Sequence, residues 1–465
     1  MSNNSNKKGS GLALVPFLLF IVIYMGAGLI LQSQGVDMAF YQFPSVVAIF
    51  FAVIVMFLIG KGTIDQKFAI FAKGAGDENI LIMLIIYILA GAFSTVAGAM
   101  GGVDSTVNLG LSLIPAQFLT AGVFIPSAFL GTATGTSMGT IGAIVPIALG
   151  VAERGGLNVT LVMAACVGGA MFGDNLSMIS DTTISATRTQ GCELKDKFRV
   201  NLLIALPAAV LTIILLLVFG APVEAVSIDQ LSYSIVKVIP YLLVLVLALI
   251  GFNVFLVLTI GIFSAGIVGL VGGELTILTF AQNIWSGFTS MNEVFFLSLF
   301  CGGLAEMTTH YGGITWLISK VQGFIKGKSS AQVGISVLVS LADVAVANNT
   351  VAIIISGSIA KDISRQYNVD PRKTASLLDI FSCVWQGIIP YGAQLLLVGS
   401  LSAGMISPVS VIPYLWYQQL LAVFAIVSVF IPFSEGICRK NPWNWEYDVA
   451  ESGVAAKKAA MEVVK

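Results

Sequence analysis

Six ionisable side chains lie inside apolar stretches of this sequence, where they are the residues best placed to do chemistry. They are Asp174, Asp181, Glu306, His310, Asp343 and Asp379. A charge at the centre of a membrane-spanning helix costs at least about 2.5 kcal/mol. No Lys or Arg lies in the same apolar runs. We therefore expect a mobile Na⁺ or H⁺, rather than a basic side chain, to neutralise these carboxylates.

The spacing of the aspartates predicts a shared site. Asp174 and Asp181 are seven residues apart, about two helical turns, so both can face one cavity and hold Na⁺. Asp343 and Asp379 lie in the second half of the chain and are expected to complete the site from the other side.

Glu306 and His310 lie four residues apart, on one face of a helix. One interpretation is a proton relay, because histidine titrates near neutral pH. The other is a mutually satisfied polar pair near a helix end. The sequence leaves both open.

Four polar segments interrupt the apolar runs, at 131–137, 173–183, 347–350 and 385–394. Irregular backbone survives inside a membrane only where it lines a cavity or is buried in protein. Freed carbonyls and side-chain oxygens at such breaks can replace the hydration shell of a cation, and helix N-termini attract anions. The candidate binding residues at the breaks, besides the aspartates, are Thr134, Thr136, Ser137, Asn175, Ser177, Ser180, Thr182, Thr183, Asn348, Asn349, Thr350, Gln386, Tyr391 and Gln394. The alternative, that Gly and Thr only allow tight helix packing, does not account for the carboxylates.

Composition requires a membrane protein. The chain is 57% hydrophobic and 10% charged, against about a quarter charged in soluble domains. Its apolar runs of about 20 residues match the thickness of a bilayer and are continuous, which predicts helices and excludes a β-barrel. The net charge of −1 gives no reason to expect a nucleic-acid partner, and the five cysteines lack metal-type spacing. We expect no cofactor and no enzymatic activity.

An internal repeat sets the architecture. Segments 93–102 and 131–140 recur about 211 residues later as 304–313 and 342–351, and six apolar runs recur with them. We expect two inverted repeats, each of five spanning helices plus one re-entrant hairpin. The first is 11–222, with a hairpin at 117–152 and a broken helix at 160–187; the second is 223–434, with a hairpin at 331–360 and a broken helix at 373–400.

The basic residues predict the orientation. With residues 1–10 and the tail 435–465 in the cytoplasm, all Lys and Arg except Arg154 and Lys237 fall on the cytoplasmic side. The predicted location is the inner membrane. In this interpretation Lys197 and its charged neighbours, Arg188, Glu193, Lys195, Asp196 and Arg199, form a solvated cytoplasmic loop.

The run GDNLSMISDTT at 173–183, with GTSMGTIG at 135–142, resembles the NhaC family of Na⁺/H⁺ antiporters. The resemblance implies an elevator-type carrier with a dimerising scaffold domain and a transport domain of hairpins and broken helices, acting as a homodimer. It also implies that Asp174, Ser177, Ser180, Asp181, Thr182 and Thr183 line the cation or substrate site. Asn175 and Met178 depart from the family pattern.

Two functions stay open from the sequence. The first is cation-coupled exchange, most simply of Na⁺ for H⁺. The second is Na⁺- or H⁺-coupled transport of a small amino acid or organic acid, which the neutral Asn, Gln, Ser and Thr groups and Tyr391 suit. An intramembrane aspartyl protease or a channel would have no need of matched breaks in inverted repeats.

Overall fold

The computed structural model describes residues 9–34, 36, 42–113, 115–178, 180–222, 232–250 and 252–445, and this part of the chain contains helices and no β-strand. The predicted cytoplasmic positions of Lys7, Lys8 and most of the tail lie outside these residues.

The first half of the chain forms helices α1 to α10 within the described residues. They are Val15–Ser33 (α1), Ser45–Ile59 (α2), Ile64–Ala75 (α3), Glu78–Ala99 (α4), Gly102–Leu113 (α5), Leu119–Thr134 (α6), Ser137–Arg154 (α7), Val159–Leu176 (α8), Asp181–Gln190 (α9) and Leu194–Phe219 (α10).

The second half forms α11 to α22. They are Ile235–Leu249 (α11), Val254–Gly272 (α12), Ile277–Ser290 (α13), Asn292–His310 (α14), Gly313–Gln322 (α15), Lys328–Val346 (α16), Asn349–Gln366 (α17), Pro371–Ile388 (α18), Ala393–Leu401 (α19), Pro408–Val411 (α20), Trp416–Phe430 (α21) and Gly436–Lys440 (α22). The order and approximate lengths of the helices recur between the halves from α2 to α9 and from α12 to α19.

The caps recur as well, which shows that the similarity reaches single residues. Thr136 caps α7 by accepting a hydrogen bond from the backbone N–H of Gly139, and Asn348 caps α17 by accepting one from Val351. The residue before each cap has a left-handed backbone, with φ of 69° at Gly135 and 51° at Ala347. Each half therefore has the same sharp break between two long helices.

Contacts between the halves are reciprocal. α4 packs against α13, and its equivalent α14 packs against α3, the equivalent of α13. In both contacts the two helix backbones touch at glycines. A Cβ added to Gly91 would lie 2.2 Å from the carbonyl oxygen of Gly287. A Cβ added to Gly74 would lie 2.3 Å from the carbonyl oxygen of Gly302. Tyr87 Oη lies 3.3 Å from Ser298 Oγ, the residue 211 positions later. A residue that contacts its own equivalent is expected beside a two-fold axis.

The hairpin formed by α6 and α7 packs closely against α8 at glycine residues. A Cβ added to Gly173 on α8 would lie 2.4 Å from the carbonyl carbon of Gly131 on α6, a distance that no larger side chain allows. This close approach brings the break at 135–136 next to the end of α8.

Seven helices in the described residues are long and apolar enough to cross a membrane, or nine if each of two bent pairs counts as one span. Three shorter apolar helices, at Ser45–Ile59, Leu119–Thr132 and Ile235–Leu247, accompany them. α16, expected as one arm of a hairpin, has 19 residues, which at about 1.5 Å per residue nearly spans a core of about 30 Å. The expected ten crossings therefore stay a prediction.

The two basic residues predicted to lie outside the cytoplasmic side each have a carboxylate partner. Arg154 pairs with Asp104, and Lys237 Nζ lies 2.6 Å from Glu274 Oε1. The hydrogen bond from Lys237 holds the pKa of Glu274 below its usual value. Both exceptions to the charge bias are therefore locally neutralised.

Candidate functional site

One cavity of about 80 Å³ lies where all four polar segments meet. The predicted residues that line it come from both hairpin tips and both broken helices: Thr136, Ser137, Asp174, Asp181, Thr182, Asn348, Asn349, Thr350, Gln386 and Gln394. Residues 177, 178 and 180 between α8 and α9 are not helical, and neither are residues 389–392 between α18 and α19. Four helix ends and four helix beginnings thus surround a space that holds a few water molecules at most.

Asp174 is the buried carboxylate of this cavity, and its partners are hydroxyls. Oδ2 accepts a hydrogen bond of 2.7 Å from Ser137 Oγ, and Oδ1 accepts one of 2.7 Å from Ser180 Oγ. Only 6% of Asp174 is exposed. Because both donors are neutral, the carboxylate keeps its full negative charge, which a cation or proton can neutralise.

Two hydrogen-bonded glutamine side chains from the second half of the sequence complete the cavity wall. Gln394 Nε2 donates to Ser137 Oγ over 3.1 Å, and Gln386 Nε2 donates to Gln394 Oε1 over 2.9 Å. Gln386 Oε1 is buried and has no hydrogen-bond partner among the described residues. A buried acceptor without a donor is costly, and this oxygen is available as a ligand for a cation.

Asp181 is the first residue of α9 and lines the same cavity from a more exposed position. The Oγ1 atom of its neighbour Thr182 lies 2.7 Å from Ser180 Oγ, which itself bonds Asp174. No group of three His, Cys, Asp or Glu side chains suited to a metal ion occurs in the described ranges. The cavity instead offers two carboxylates with neutral oxygens, a set suited to Na⁺ rather than to a transition metal.

Lys197 corrects two of the expectations. It is buried rather than solvated, with 1% of its side chain exposed, and it forms an ion pair with Asp379, which is fully buried. Its Nζ also donates to the Asn175 carbonyl oxygen and to Thr183 Oγ1, both at 2.9 Å. At least one membrane carboxylate therefore has a basic partner, and Asp379 does not line the cavity. The expectation failed because Lys197 lies in the first turn of α10, which begins before the apolar run.

Other candidate residues lie outside the cavity wall and have partners of their own. Thr134 Oγ1 donates to the Leu130 carbonyl, and Thr183 Oγ1 donates to Asp379. Asn175 accepts from Asn201 Nδ2 over 3.1 Å. Ser177 caps the C-terminus of α8.

Two more candidates, Tyr391 and Asp343, are buried behind the cavity. Tyr391 is 4% exposed and its Oη donates to the Val344 carbonyl over 2.7 Å, so its hydroxyl is not presented to a solute. Asp343 is fully buried on α16.

Glu306 and His310 line different cavities. Glu306 pairs with Lys73 and borders a cavity of about 150 Å³, whereas His310 borders one of about 590 Å³ beside Lys61. Glu306 thus has Lys73 as an ion-pair partner. The proton relay and the polar pair of Glu306 with His310 both stay predictions.

Sequence reasoning missed the apolar side of the cavity. Ile82, Met83 and Ile86 of α4 line it opposite the polar breaks. It also missed Lys197 and Asn201, although a signal exists: the buried positions of α10, which include 197, 200, 201, 204, 205 and 208, recur at helical spacing. That spacing places both polar residues on the buried face.

A sequence model described as the Na⁺/H⁺ antiporter family matches residues 3–221, which include both breaks of the first half. The Na⁺/H⁺ antiporter NhaC of Bacillus subtilis (strain 168) is 25% identical over 77% of this chain and 84% of its own length. Residues 3–221 of this chain are thus similar to the Na⁺/H⁺ antiporter family. The resemblance seen in the GDNLSMISDTT motif is thus confirmed.

Two other relatives align with most of this chain. The malate-2H⁺/Na⁺-lactate antiporter of Bacillus subtilis (strain 168) is 26% identical over 89% of this chain and 94% of its own length. The arginine/ornithine antiporter ArcD of Halobacterium salinarum is 23% identical over 76% of this chain and 79% of its own. Among solved structures, the Alcanivorax borkumensis YdaH transporter matches 91% of this chain and 98% of its own length, at 12% identity and a TM-score of 0.42.

Proposed function

We propose that this antiporter exchanges Na⁺ for H⁺ at Asp174. Its similarity to Na⁺/H⁺ antiporters supports cation-coupled secondary transport. The observation that carries the proposal is the environment of Asp174: a buried carboxylate held by two hydroxyls, at the one point where four helix breaks converge. No Lys or Arg lines that cavity among the described residues.

The exchange follows from competition for one carboxylate. When Na⁺ binds, Asp174 releases its proton to water, and when the proton returns, Na⁺ leaves. In either case the group that crosses the membrane is neutral. The bare carboxylate would cost at least about 2.5 kcal/mol at the membrane centre, which disfavours crossing with an empty site. This penalty couples the two ions.

The ligands for Na⁺ are proposed to be Asp174, with Asp181 at the entrance and neutral oxygens around them. Ser137 and Ser180 hydroxyls can rotate so that their lone pairs face the ion, and Gln386 Oε1 is already without a donor. Helix ends at the breaks add backbone carbonyls. The apolar wall of Ile82, Met83 and Ile86 excludes bulk water from the opposite side.

We also propose that the two halves are inverted repeats related by an axis in the membrane plane. The reciprocal contacts of α4 with α13 and of α14 with α3 support a two-fold relation, and the Lys and Arg bias supports an odd number of crossings per half. The chain is placed in the inner membrane with both termini cytoplasmic. Hairpins and broken helices form the moving transport domain of an elevator, and the remaining helices form a scaffold that dimerises.

A second candidate is exchange of a small organic acid or amino acid. The N-termini of α7, α9 and α17 all border the cavity and would attract a carboxylate. One relative is a malate-2H⁺/Na⁺-lactate antiporter, and another is an arginine/ornithine antiporter. The volume of about 80 Å³ favours an ion in this conformation.

Flux in proteoliposomes separates the two candidates. The purified chain is reconstituted with a pH-sensitive dye inside, and Na⁺, Li⁺, K⁺, lactate, malate or single amino acids are added outside. Exchange of Na⁺ for H⁺ predicts proton movement with Na⁺ alone. Proton movement that requires an organic solute would favour the second candidate and contradict the first.

A further inference from the structure

A groove of about 700 Å³ with mostly apolar walls lies apart from the cation cavity, and the two share no lining residue. Helix α16 lines it together with α15 and α21, which both pack against α16. Val333, Val337 and Leu341 follow one another at four-residue spacing, which places them in a row along α16. Val337 and Leu341 are exposed, as are Phe324 and Phe430 at the edges of the groove. The groove is therefore open to an apolar ligand.

One end of this groove is polar and basic. Ser329 and Ser330 line it in the first turn of α16, and Lys320 lines it from the last turn of α15. Lys326 lies in the short connection between the two helices, and Lys328 is the first residue of α16. The three lysines are exposed. The apolar groove thus has three ammonium groups at or beside one end.

The three lysines lack acidic partners. Every residue that lines the groove lies within 307–342 or 408–434, and neither range contains an Asp or Glu. None of the three forms an ion pair among the described residues. Lys320 instead lies over the Trp316 ring, 5.5 Å from its centroid. The charge at this end therefore suits an anionic ligand.

The length of the groove matches one leaflet of a bilayer. From Ser329 to Leu341 the floor runs along twelve residues of α16, or about 18 Å at 1.5 Å per residue. Half of a hydrocarbon core of about 30 Å is about 15 Å. The lysines lie on the side predicted to be cytoplasmic, where anionic lipid headgroups attract basic residues. An acyl chain in the groove would thus extend from the headgroup level to near the membrane centre.

A second copy of this chain fits the groove less well than a lipid. A two-fold interface places the same patch of both copies face to face. Around an axis normal to the membrane, it would bring three lysines of one copy to the same depth as three lysines of its partner. Like charges placed together across an interface disfavour association.

We propose that the groove is a specific binding site for one anionic phospholipid. The phosphate lies among the three lysines, and one acyl chain lies along the row Val333, Val337 and Leu341. Because α16 is an arm of the second hairpin, the bound lipid joins that hairpin to α15 and α21 and stabilises their packing. The site is separate from the cation cavity, and the inference does not depend on exchange of Na⁺ for H⁺.

Native mass spectrometry of the full-length protein in detergent tests the headgroup preference. Phosphatidylglycerol, which is anionic, and phosphatidylcholine, which is zwitterionic, are titrated with identical acyl chains. One phosphatidylglycerol per chain is expected to bind at a concentration about tenfold or more below that of phosphatidylcholine, because each lysine strengthens attraction to an anionic lipid.

Two triple variants with the same change in net charge test the lysines. Replacing Lys320, Lys326 and Lys328 with Gln should abolish the preference for phosphatidylglycerol. The control replaces Lys195, Arg439 and Lys440 with Gln, which are also exposed and predicted to be cytoplasmic but do not line the groove. The control should keep the preference of the wild type.

A bulky apolar substitution tests the groove itself. Val337→Trp fills the row on α16 and leaves every lysine in place, so phosphatidylglycerol binding should weaken by about tenfold. Val423→Trp, at an exposed position of α21 outside the groove, is the control and should bind like the wild type.

Every other result overturns the proposal. Equal affinity for the two lipids means that only the general lipid layer covers this face. Loss in the lysine variant with full binding in Val337→Trp means attraction to surface charge without a groove site. A dimer that Val337→Trp dissociates would show that a second copy occupies the groove. The lysine variants change only exposed side chains, so they and the lipid comparison decide the matter if Val337→Trp does not fold.

Discussion

Ser137 Oγ donates a hydrogen bond of 2.7 Å to Asp174 Oδ2, so the first residue of α7 holds the carboxylate of α8. The same Ser137 oxygen accepts from Gln394 in the second half. Through this one hydroxyl the hairpin tip, the first broken helix and the second broken helix share a network. We therefore expect the cation site to depend on Ser137 more than on any other neutral side chain.

Ser137→Ala should weaken Na⁺ binding while leaving the fold intact. A hydrogen bond to a charged group contributes about 1.5–3 kcal/mol, which predicts a rise of about tenfold or more in the KM for Na⁺. Ser127→Ala, in α6 of the same hairpin, is the control, because its hydroxyl bonds the Val123 carbonyl away from the cavity. Na⁺ titration of proton flux measures both. Equal KM values for the two variants would remove Ser137 from the site.

Asp181→Asn should have a smaller effect than loss of the buried carboxylate. Asp181 lines the cavity from an exposed position, where water screens its charge. Exposed charges contribute about 0.2–1 kcal/mol, so we expect a rise of a fewfold in the KM for Na⁺ with proton flux retained at saturating Na⁺. Complete loss of flux in this variant would make Asp181 the primary site instead.

The four polar segments that interrupt the helices could be predicted from the sequence, because the residue types within each segment are enough to reveal it. Gly, Asn, Ser and Asp within an apolar run cannot be explained by lipid contact, and the four segments that carry them do border one cavity. What the sequence could not supply was the partner of each carboxylate. Asp174, Asp343 and Asp379 look alike in the sequence. In the structure Asp174 has hydroxyl partners, Asp379 has a lysine, and Asp343 has no side-chain partner among the described residues.

Lys197 illustrates why partners are harder to predict than breaks. Its neighbours in sequence are charged, so its position suggested a solvated loop. The helix that contains it begins at Leu194, and the helical spacing turns Lys197 toward Asp379. Only the tertiary packing of α10 against α18 shows the pair.

The buried pair of Lys197 and Asp379 should be structural. Asp379→Asn leaves a buried ammonium with one fewer acceptor and should reduce stability by about 3–5 kcal/mol. The double variant Lys197→Met with Asp379→Leu removes both charges and should recover most of that loss. Thermal unfolding in detergent compares the variants. A double variant less stable than either single variant would show that the charges do more than neutralise each other.

Gly131→Ala should displace the first hairpin from α8. The added methyl group would lie 2.8 Å from the Ala170 carbonyl and 3.1 Å from Gly173 Cα, which requires movement of backbone. Overpacking of this kind costs about 1–3 kcal/mol, and we expect a lower unfolding temperature and weaker Na⁺ binding.

Gly122→Ala is the matched control for that change, on the same helix. Outside the neighbouring backbone of α6, no atom of the described residues lies within 4 Å of the added methyl position. Alanine also favours helix over glycine by about 1 kcal/mol. This variant should be as stable as the wild type or more so. Similar losses in both variants would mean that α6 tolerates no alanine, and that close packing at Gly131 is not the cause.

The most direct test of the central claim is Na⁺-driven proton flux through Asp174→Asn in proteoliposomes, with Asp104→Asn as the control. Asp104 is an exposed carboxylate paired with Arg154, and it does not line the cavity. We predict that Asp174→Asn folds, binds Na⁺ at least tenfold more weakly and moves no protons, whereas Asp104→Asn transports like the wild type. Proton flux through Asp174→Asn at the wild-type rate would contradict the assignment of Asp174 as the exchanging carboxylate.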